Sequence, residues 1–186
     1  MILSIVKTPH KILLTPTKPV KKIDAKLRTL VNNMKQTLAV QDDPEGVGLA
    51  APQVGVQLSL FIIKPDPKSA FSVFINPVIK KIVKNPPSSR YPSGLRRVKK
   101  SDNSTLEGCL SIEHIWSQVK RPEKILITYK TIDGTEKEEW FSGFDATIIQ
   151  HEVDHLKGIL FTKRALEQNK PIYKETNGEL NKIDLI

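Results

Sequence analysis

The chain has 186 residues, of which 39% are hydrophobic and 26% charged, and its formal net charge is +9. These values fit one globular domain with its own core and exclude a disordered chain. Cys109 is the only cysteine, which argues against a disulfide-stapled secreted domain. No apolar run approaches the roughly 18 to 20 residues of a membrane span, and the first residues lack the features of a secretory signal, so we expect a cytoplasmic protein. The charge fits an anionic partner or a basic solvated surface equally well.

The first half of the chain predicts one long helix and several strands. Proline-rich residues 1–23 are expected to be irregular. Apolar residues then recur at helical spacing from Leu27 to Leu38, with Asp24 placed to cap the helix. The stretch "DDPEGVGLAAPQVGV" is expected to be a loop that leads into a strand. The β-rich runs "LSLFII" and "SVFINPVIKKIV" predict two strands.

Residues 85–104 are rich in proline, serine and basic side chains, and we expect a basic surface insertion there. The stretch "CLSIEHIWSQVKR" predicts a further strand. The stretch "KILITYKTIDGTEKEEWF" predicts a hairpin that turns at Asp133-Gly134. Residues 171–186 are expected to form a C-terminal hairpin around Asn177-Gly178.

Between these two hairpins, "FDATIIQHEVDHLK" predicts a second helix from about Asp145 to Lys157, with Gly158 as its C-terminal stop. Helices packed on antiparallel strands give an α+β class, and no internal boundary divides residues 1–186 into more than one domain.

The letters "HEVDH" within this helix indicate a metal site. His151 and His155 lie one turn apart on one face and can bind the same divalent ion. Glu152 is rotated by one position, so it is poorly placed as a third ligand. It is well placed to contact a water molecule on the ion and act as a general base.

The third ligand has three candidates. A histidine six residues after His155 would complete one peptidase pattern, but Phe161 occupies that position. Glu175 follows His155 by twenty residues, as in thermolysin-like peptidases, although no helix is predicted around it. Cys109 offers a thiolate, which is an excellent ligand for Zn²⁺ or Fe²⁺, or it is simply a small buried hydrophobe.

Three separated motifs resemble the polypeptide deformylase family and occur in its order. They are "GVGLAAPQ" at 46–53, "EGCLS" at 107–111 and "QHEVDHLKG" at 150–158, and a weaker likeness extends over residues 5–165. The resemblance implies antiparallel sheets packed around a central metal-binding helix, with a long helix in the N-terminal half. It also implies a hydrolase that removes the formyl group from the N-terminal formylmethionine of new polypeptides.

The resemblance assigns roles to individual residues. The implied metal ligands are Cys109, His151 and His155, with water as the fourth. Glu152 would be general base and acid, while the Gln53 side chain and the Leu110 backbone N–H would stabilise the oxyanion. The family points to Fe²⁺ in the cell, although Zn²⁺, Ni²⁺ and Co²⁺ also suit these ligands.

An apolar face beside the metal is expected to bind the methionine side chain. Phe144 precedes Ile148 by four positions and Ile148 precedes His151 by three, so the three share one side of the helix. Core packing is the alternative role, above all for Phe144. The family resemblance adds three residues to the substrate-binding set, namely Val47, Gly48 and Glu107.

The resemblance further implies that an ion pair between Arg121 and Asp154 supports the metal helix. The expected partners are N-formylmethionyl nascent peptides and, through the basic insertion, the ribosome; we expect no membrane or DNA partner. Two alternatives remain: a metallopeptidase that uses Glu175, and a non-catalytic RNA-associated protein with a structural metal. Structural sites usually have four protein ligands, and only three good ones are visible.

Overall fold

The computed structural model describes residues 1–42, 45–83 and 106–183. Its helices are Ala25–Ala39 (α1), Gly143–Leu156 (α2) and Phe161–Glu167 (α3), with short 3-10 helices at Lys11–Leu14 and Ala51–Val54. The strands are Gly48–Ala50 (β1), Leu60–Ile63 (β2), Ser72–Val83 (β3), Leu106–Cys109 (β4), Ile112–Gln118 (β5), Lys124–Lys130 (β6), Glu136–Ser142 (β7), Ile172–Thr176 (β8) and Glu179–Ile183 (β9).

The strands form two antiparallel sheets. Five strands are ordered β1-β2-β3-β6-β7, and four are ordered β4-β5-β8-β9. In β2, Phe61 and Ile63 pack into the core under α2, whereas Leu60 and Ile62 pack into the core under α1. Because successive side chains of a strand point to opposite faces, α1 and α2 cover opposite faces of the five-stranded sheet. The predicted α+β fold, with antiparallel sheets and few helices, is confirmed.

Helix α1 follows the predicted pattern. The Asp24 side chain accepts a hydrogen bond from the Leu27 N–H at 3.0 Å, which caps the first turn. The apolar residues at helical spacing are buried against the sheet: Leu27, Val31, Met34 and Leu38. Burial of each such side chain contributes about 1.5–3 kcal/mol, so packing holds this helix more than propensity does.

Helix α2 begins two residues earlier than predicted. Gly143 has φ +61° directly after β7, and glycine is a weak helix former, so no local signal marks this start. The C-terminal stop is where the sequence predicts it. Gly158 has φ +70°, and its N–H donates to the His155 carbonyl at 3.1 Å.

Several short elements escape prediction, among them β1 and α3. The expected loop at residues 42–56 contains the three-residue strand β1, whose residues are all buried and therefore show no alternation. Helix α3 has seven residues and one buried pair, Phe161 and Ala165, one turn apart. Neither element is long enough to show a hydrophobic period.

The C-terminal hairpin is observed as β8 and β9, which pair around Asn177-Gly178. The proposed insertion at 85–104 lies outside the described residues. Across 1–42, 45–83 and 106–183, no helix combines the length and apolar character needed to cross a bilayer.

Replacing Gly158 tests how closely α2 is fitted to the N-terminal segment. A Cβ at Gly158 would lie 2.6 Å from the Leu14 carbonyl carbon, and the residue also has positive φ. Gly178→Ala is the matched control, because φ is +80° there and no atom lies within 4 Å of its Cβ. We expect Gly178→Ala to lower the free energy of unfolding by about 1 kcal/mol and Gly158→Ala by clearly more. Equal losses in chemical denaturation would contradict the close contact.

Candidate active site

Segments from both sheets meet α2 around a cavity of about 400 Å³. The segment at 45–48 and the turn after β4 form two of its sides, and α2 forms the third. Residues from all three predicted motifs line it, including Val47, Gly48, Gln53, Glu107, Cys109, Leu110, Phe144, Ile148, His151 and Glu152.

One thiol and two imidazoles converge at this cavity. The ligand atoms of Cys109, His151 and His155 all lie within 4.8 Å of one another. Cys109 Sγ is 3.2 Å from His155 Nε2. One sulfur and two nitrogens at such separations fit the tetrahedral coordination of a divalent transition metal, with one position left for a non-protein ligand. The arrangement therefore supports a divalent metal site.

The alternative ligand Glu175 is outside this group. It lies on β8, where its Oε2 accepts a hydrogen bond from Trp116 Nε1 at 2.8 Å. Among the described Cys, His, Asp and Glu side chains, those close enough to share an ion are Cys109, His151 and His155. The metallopeptidase alternative thus lacks its third ligand.

Glu107 orients one of the imidazoles. Its Oε2 lies 3.0 Å from His151 Nδ1, so Nε2 of that ring would be the nitrogen that binds an ion. Its Oε1 and Oε2 also accept hydrogen bonds from Arg121, at 2.5 and 2.9 Å. Both oxygens of Glu107 are therefore engaged by protein groups. The residue lines the cavity as expected, but this geometry favours support of His151 over contact with the substrate.

Arg121 joins β4 to α2. Besides Glu107, it binds Asp154 Oδ2 at 2.9 Å, and all three side chains are buried. Burial raises the pKa of the Glu107 carboxyl, but Arg121 and His151 outweigh it and hold the pKa below its usual value. Burial likewise opposes ionisation of Asp154, and Arg164 and Arg121 lower its pKa. Both acids are therefore carboxylates at neutral pH. The expected ion pair between Arg121 and Asp154 is present.

The Cys109 thiol lies in an environment that favours the thiolate. Burial raises its pKa, but the imidazoles of His155 and His151 outweigh burial and hold the pKa well below its usual value. The thiolate is the form that binds metal ions.

Glu152 is buried beside the three ligands. Its Oε2 has no hydrogen-bond partner within the part of the chain that the structure describes. Burial raises the pKa of Glu152 to about 7, although His151 and His155 oppose this effect. A Cβ at Gly48 would overlap Glu152 Oε1 and lie 2.9 Å from Ile148 Cγ2. Glycine at position 48 is therefore what lets the carboxylate lie against the backbone of β1.

Gln53 is fixed by the short 3-10 helix that follows β1. Its Oε1 accepts a hydrogen bond from the Ala50 N–H at 2.8 Å. Its Nε2 consequently points toward the turn after β4, 3.5 Å from Cys109 Sγ and 3.3 Å from Ser111 Oγ. Leu110 follows Cys109 in the turn between β4 and β5, and its backbone carbonyl accepts a hydrogen bond from Lys7 Nζ at 2.7 Å. Both expected oxyanion donors thus lie at the cavity.

Val47, Phe144 and Ile148 form an apolar side of the cavity. Phe144 and Ile148 also belong to the core between α2 and the sheet, so core packing is observed for both and is compatible with a role in binding methionine. Sequence reasoning missed Trp116 and Thr147, which also line the cavity. Thr147 precedes His151 by one helical turn, a spacing that would have indicated it. Trp116 reaches the cavity only through strand pairing.

A buried cysteine and two imidazoles around one point, with an acid beside them, are typical of a metal-dependent hydrolase. The family model described as polypeptide deformylase matches residues 2–171. The chain belongs to this family, whose members are hydrolases that remove the N-formyl group from nascent peptides.

Individual relatives agree with this assignment. A peptide deformylase of Microchaete diplosiphon is 38% identical over 154 residues, which is 83% of this chain and 74% of the relative. The Synechococcus elongatus peptide deformylase, solved in complex with actinonin, has 35% identity and a TM-score of 0.72 over 90% of this chain and 82% of its own. The class I type b peptide deformylase of Acinetobacter baumannii, solved with Met-Ala-Ser bound, has 32% identity and a TM-score of 0.70 over 88% of this chain and 98% of its own.

Gly48→Ala tests the fit between β1 and the acid. The added methyl group displaces the Glu152 carboxylate, so kcat for formate release should fall about a hundredfold while the bound metal is retained. In a Glu152→Gln background the same change should have little further effect, because the carboxylate is already absent. If Gly48→Ala lowered kcat by the same factor in the wild-type and Glu152→Gln backgrounds, this account would be contradicted.

Arg121→Ala tests the link between β4 and α2. Two buried carboxylates would lose their partner, so the free energy of unfolding should fall by roughly 3–5 kcal/mol and metal affinity by about 10- to 100-fold. Arg164→Ala is the control, because Arg164 also binds Asp154 but its side chain is 31% exposed. We expect the control to cost at most about 1 kcal/mol. Similar losses in both variants, measured by denaturation and metal titration, would refute the special role of Arg121.

Proposed function

We propose that the chain hydrolyses the formyl amide of N-terminal formylmethionine on new polypeptides, with Cys109, His151 and His155 holding the metal and Glu152 moving the proton. One observation carries this proposal. The Glu152 carboxylate is buried in the cavity beside the three ligand atoms, and its Oε2 has no partner among the described residues. Such an oxygen is suited to accept a proton from water inside the cavity.

The proposed physiological ion is Fe²⁺, with Zn²⁺, Ni²⁺ or Co²⁺ as substitutes in purified protein. One sulfur and two nitrogen ligands suit all four ions, and the family resemblance favours Fe²⁺. When bound, the ion supplies a Lewis acid that lowers the pKa of water and polarises a carbonyl. Glu107 supports this role by fixing the orientation of the His151 ring.

Glu152 can act in both directions of proton transfer. With a pKa of about 7, it is poised to take a proton from water and then to give it to the leaving amine. Release of the amine needs that proton, because an amide anion is too basic to leave at neutral pH.

Gln53 and Leu110 would stabilise negative charge on the formyl oxygen. The Gln53 amide cannot rotate freely, because its oxygen is held by the Ala50 N–H at 2.8 Å. A preorganised donor of this kind contributes about 3 kcal/mol to the transition state. The Leu110 backbone N–H, next to Cys109, would be the second donor.

The peptide would bind in an extended form between the two sheets. Within the described residues, β1 and β4 are edge strands of their sheets. The Val47 carbonyl accepts a hydrogen bond from Lys64 N–H at 2.8 Å, so Val47 faces β2. Because polar groups alternate along an antiparallel strand, the N–H and C=O of Gly48 face away from β2 and toward the cavity. A peptide can pair with this edge as an added strand.

The methionine side chain would lie against Val47, Phe144 and Ile148. These residues give the cavity an apolar side, and a peptide that begins with methionine, Met-Ala-Ser, is bound in the Acinetobacter baumannii relative. We therefore expect formyl-Met-Ala-Ser to be hydrolysed with a kcat/KM at least about tenfold above that of formyl-Asp-Ala-Ser. Equal values for the two tripeptides would contradict the apolar pocket.

The proposed cellular setting is the cytoplasm, with transient ribosome contact through a basic surface. The net charge of +9 supports attraction to ribosomal RNA phosphates. Co-sedimentation with ribosomes should weaken steeply as salt rises, and salt-independent binding would count against this mode.

The decisive variants separate metal binding from proton transfer. In anaerobically purified protein, Cys109→Ser should lose most of its metal and its formate release. Glu152→Gln should keep the metal and lose activity by at least about a hundredfold. Glu175→Gln should retain the metal. A Cys109→Ser protein that keeps its metal while Glu175→Gln loses it would overturn the assignment.

A further inference from the structure

We propose that Glu175 positions the Trp116 ring as a wall of the substrate cleft that contacts the peptide beyond its methionine. This inference rests on the proposed function and adds a specificity element to it. Glu175 lies outside residues 2–171, the part of the chain that matches the family model. The C-terminal hairpin would thus contribute to recognition of the nascent chain.

Trp116 lines the same cavity as the metal ligands, although it comes from β5 and not from any of the three motifs. Its ring crosses to β4 and lies against Gly108. A Cβ at Gly108 would be 2.7 Å from Cζ3 and 2.9 Å from Cε3 of the indole. The ring therefore occupies the space that any other side chain at position 108 would need, next to Cys109.

Glu175 fixes this ring through the indole N–H. Trp116 pairs directly with Tyr173, so Glu175, two residues further along β8, is its diagonal neighbour on the same face. The Glu175 Oε2 accepts the hydrogen bond from Trp116 Nε1 at 2.8 Å, and both side chains are half-buried. Without this acceptor the indole could rotate about its side-chain torsions and leave Gly108 uncovered.

The position of the ring defines which part of the substrate it meets. The formyl group must lie at the metal ligands, and the methionine side chain lies toward Val47, Phe144 and Ile148. A peptide that runs along the edges of β1 and β4 then continues past Gly108, where Trp116 stands. An aromatic ring is a suitable surface for a passing peptide chain of varied sequence, because it offers a large apolar area at little conformational cost.

The test compares substrates that do and do not extend past methionine. Glu175→Ala should raise KM for formyl-Met-Ala-Ser about three- to tenfold with kcat unchanged, the effect of losing one positioning hydrogen bond. KM for formylmethionine amide, which ends at methionine, should stay the same. Glu175→Gln keeps an acceptor oxygen and should restore the KM for the tripeptide. Glu179→Ala, an exposed acid on the same hairpin, is the charge-matched control and should change neither substrate.

Fluorescence separates a positioning role from a general structural one. The chain has two tryptophans, so Trp140→Phe leaves Trp116 as the reporter. Met-Ala-Ser should shift the Trp116 emission saturably, and in Glu175→Ala its Kd should rise by the same factor as KM. An unchanged Kd and KM in Glu175→Ala, or equal KM changes for both substrates, would overturn the inference. A wild-type protein that releases no formate from either substrate would instead contradict the proposed function. In that case the Met-Ala-Ser fluorescence titration would still test the role of Glu175.

Discussion

The buried guanidinium of Arg121 is the constraint on which the active site depends. The proposed metal ligands come from two elements with no local connection: Cys109 ends β4, whereas His151 and His155 lie on α2. Arg121 binds Glu107 on β4 and Asp154 on α2, and Glu107 in turn binds His151. Three buried charges are costly to desolvate and stable only when they are paired, so this network holds the two elements at one separation. The close approach of the sulfur and the two nitrogens follows from that separation.

Helix α2 contributes both to the hydrophobic core and to the candidate active site. Its apolar side packs on the five-stranded sheet, and its polar side carries the histidines and Glu152. Burial of the Glu152 carboxyl raises its pKa to about 7, near the value that suits the proton carrier proposed here at neutral pH. The backbone of β1 at Gly48 lies against this carboxyl, so a strand that packs in the core also positions the proposed base.

The elements that depend on local sequence patterns are the ones that the sequence predicts correctly. The capped helix α1, the hairpin at Asp133-Gly134 and the stop at Gly158 each depend on neighbouring residues, and each appears where the sequence indicates it. Spacing alone leaves both Cys109 and Glu175 as candidates for the third metal ligand, and the family resemblance favours Cys109. The Trp116–Glu175 hydrogen bond joins residues 59 positions apart that strand pairing brings together, so neighbouring residues in the sequence cannot predict it. Likewise, the contacts of Glu107 with Arg121 and His151 form only because β4 and α2 lie side by side in the fold.

The central claim is that one sulfur and two nitrogens of this chain hold the catalytic metal. X-ray absorption spectroscopy of the zinc-loaded protein tests it most directly. The account predicts one sulfur at about 2.3 Å and two imidazole nitrogens at about 2.0–2.1 Å, with an oxygen completing four-coordination, and loss of the sulfur shell in Cys109→Ser. A spectrum without sulfur, or with a fourth protein ligand closing the site, would contradict it.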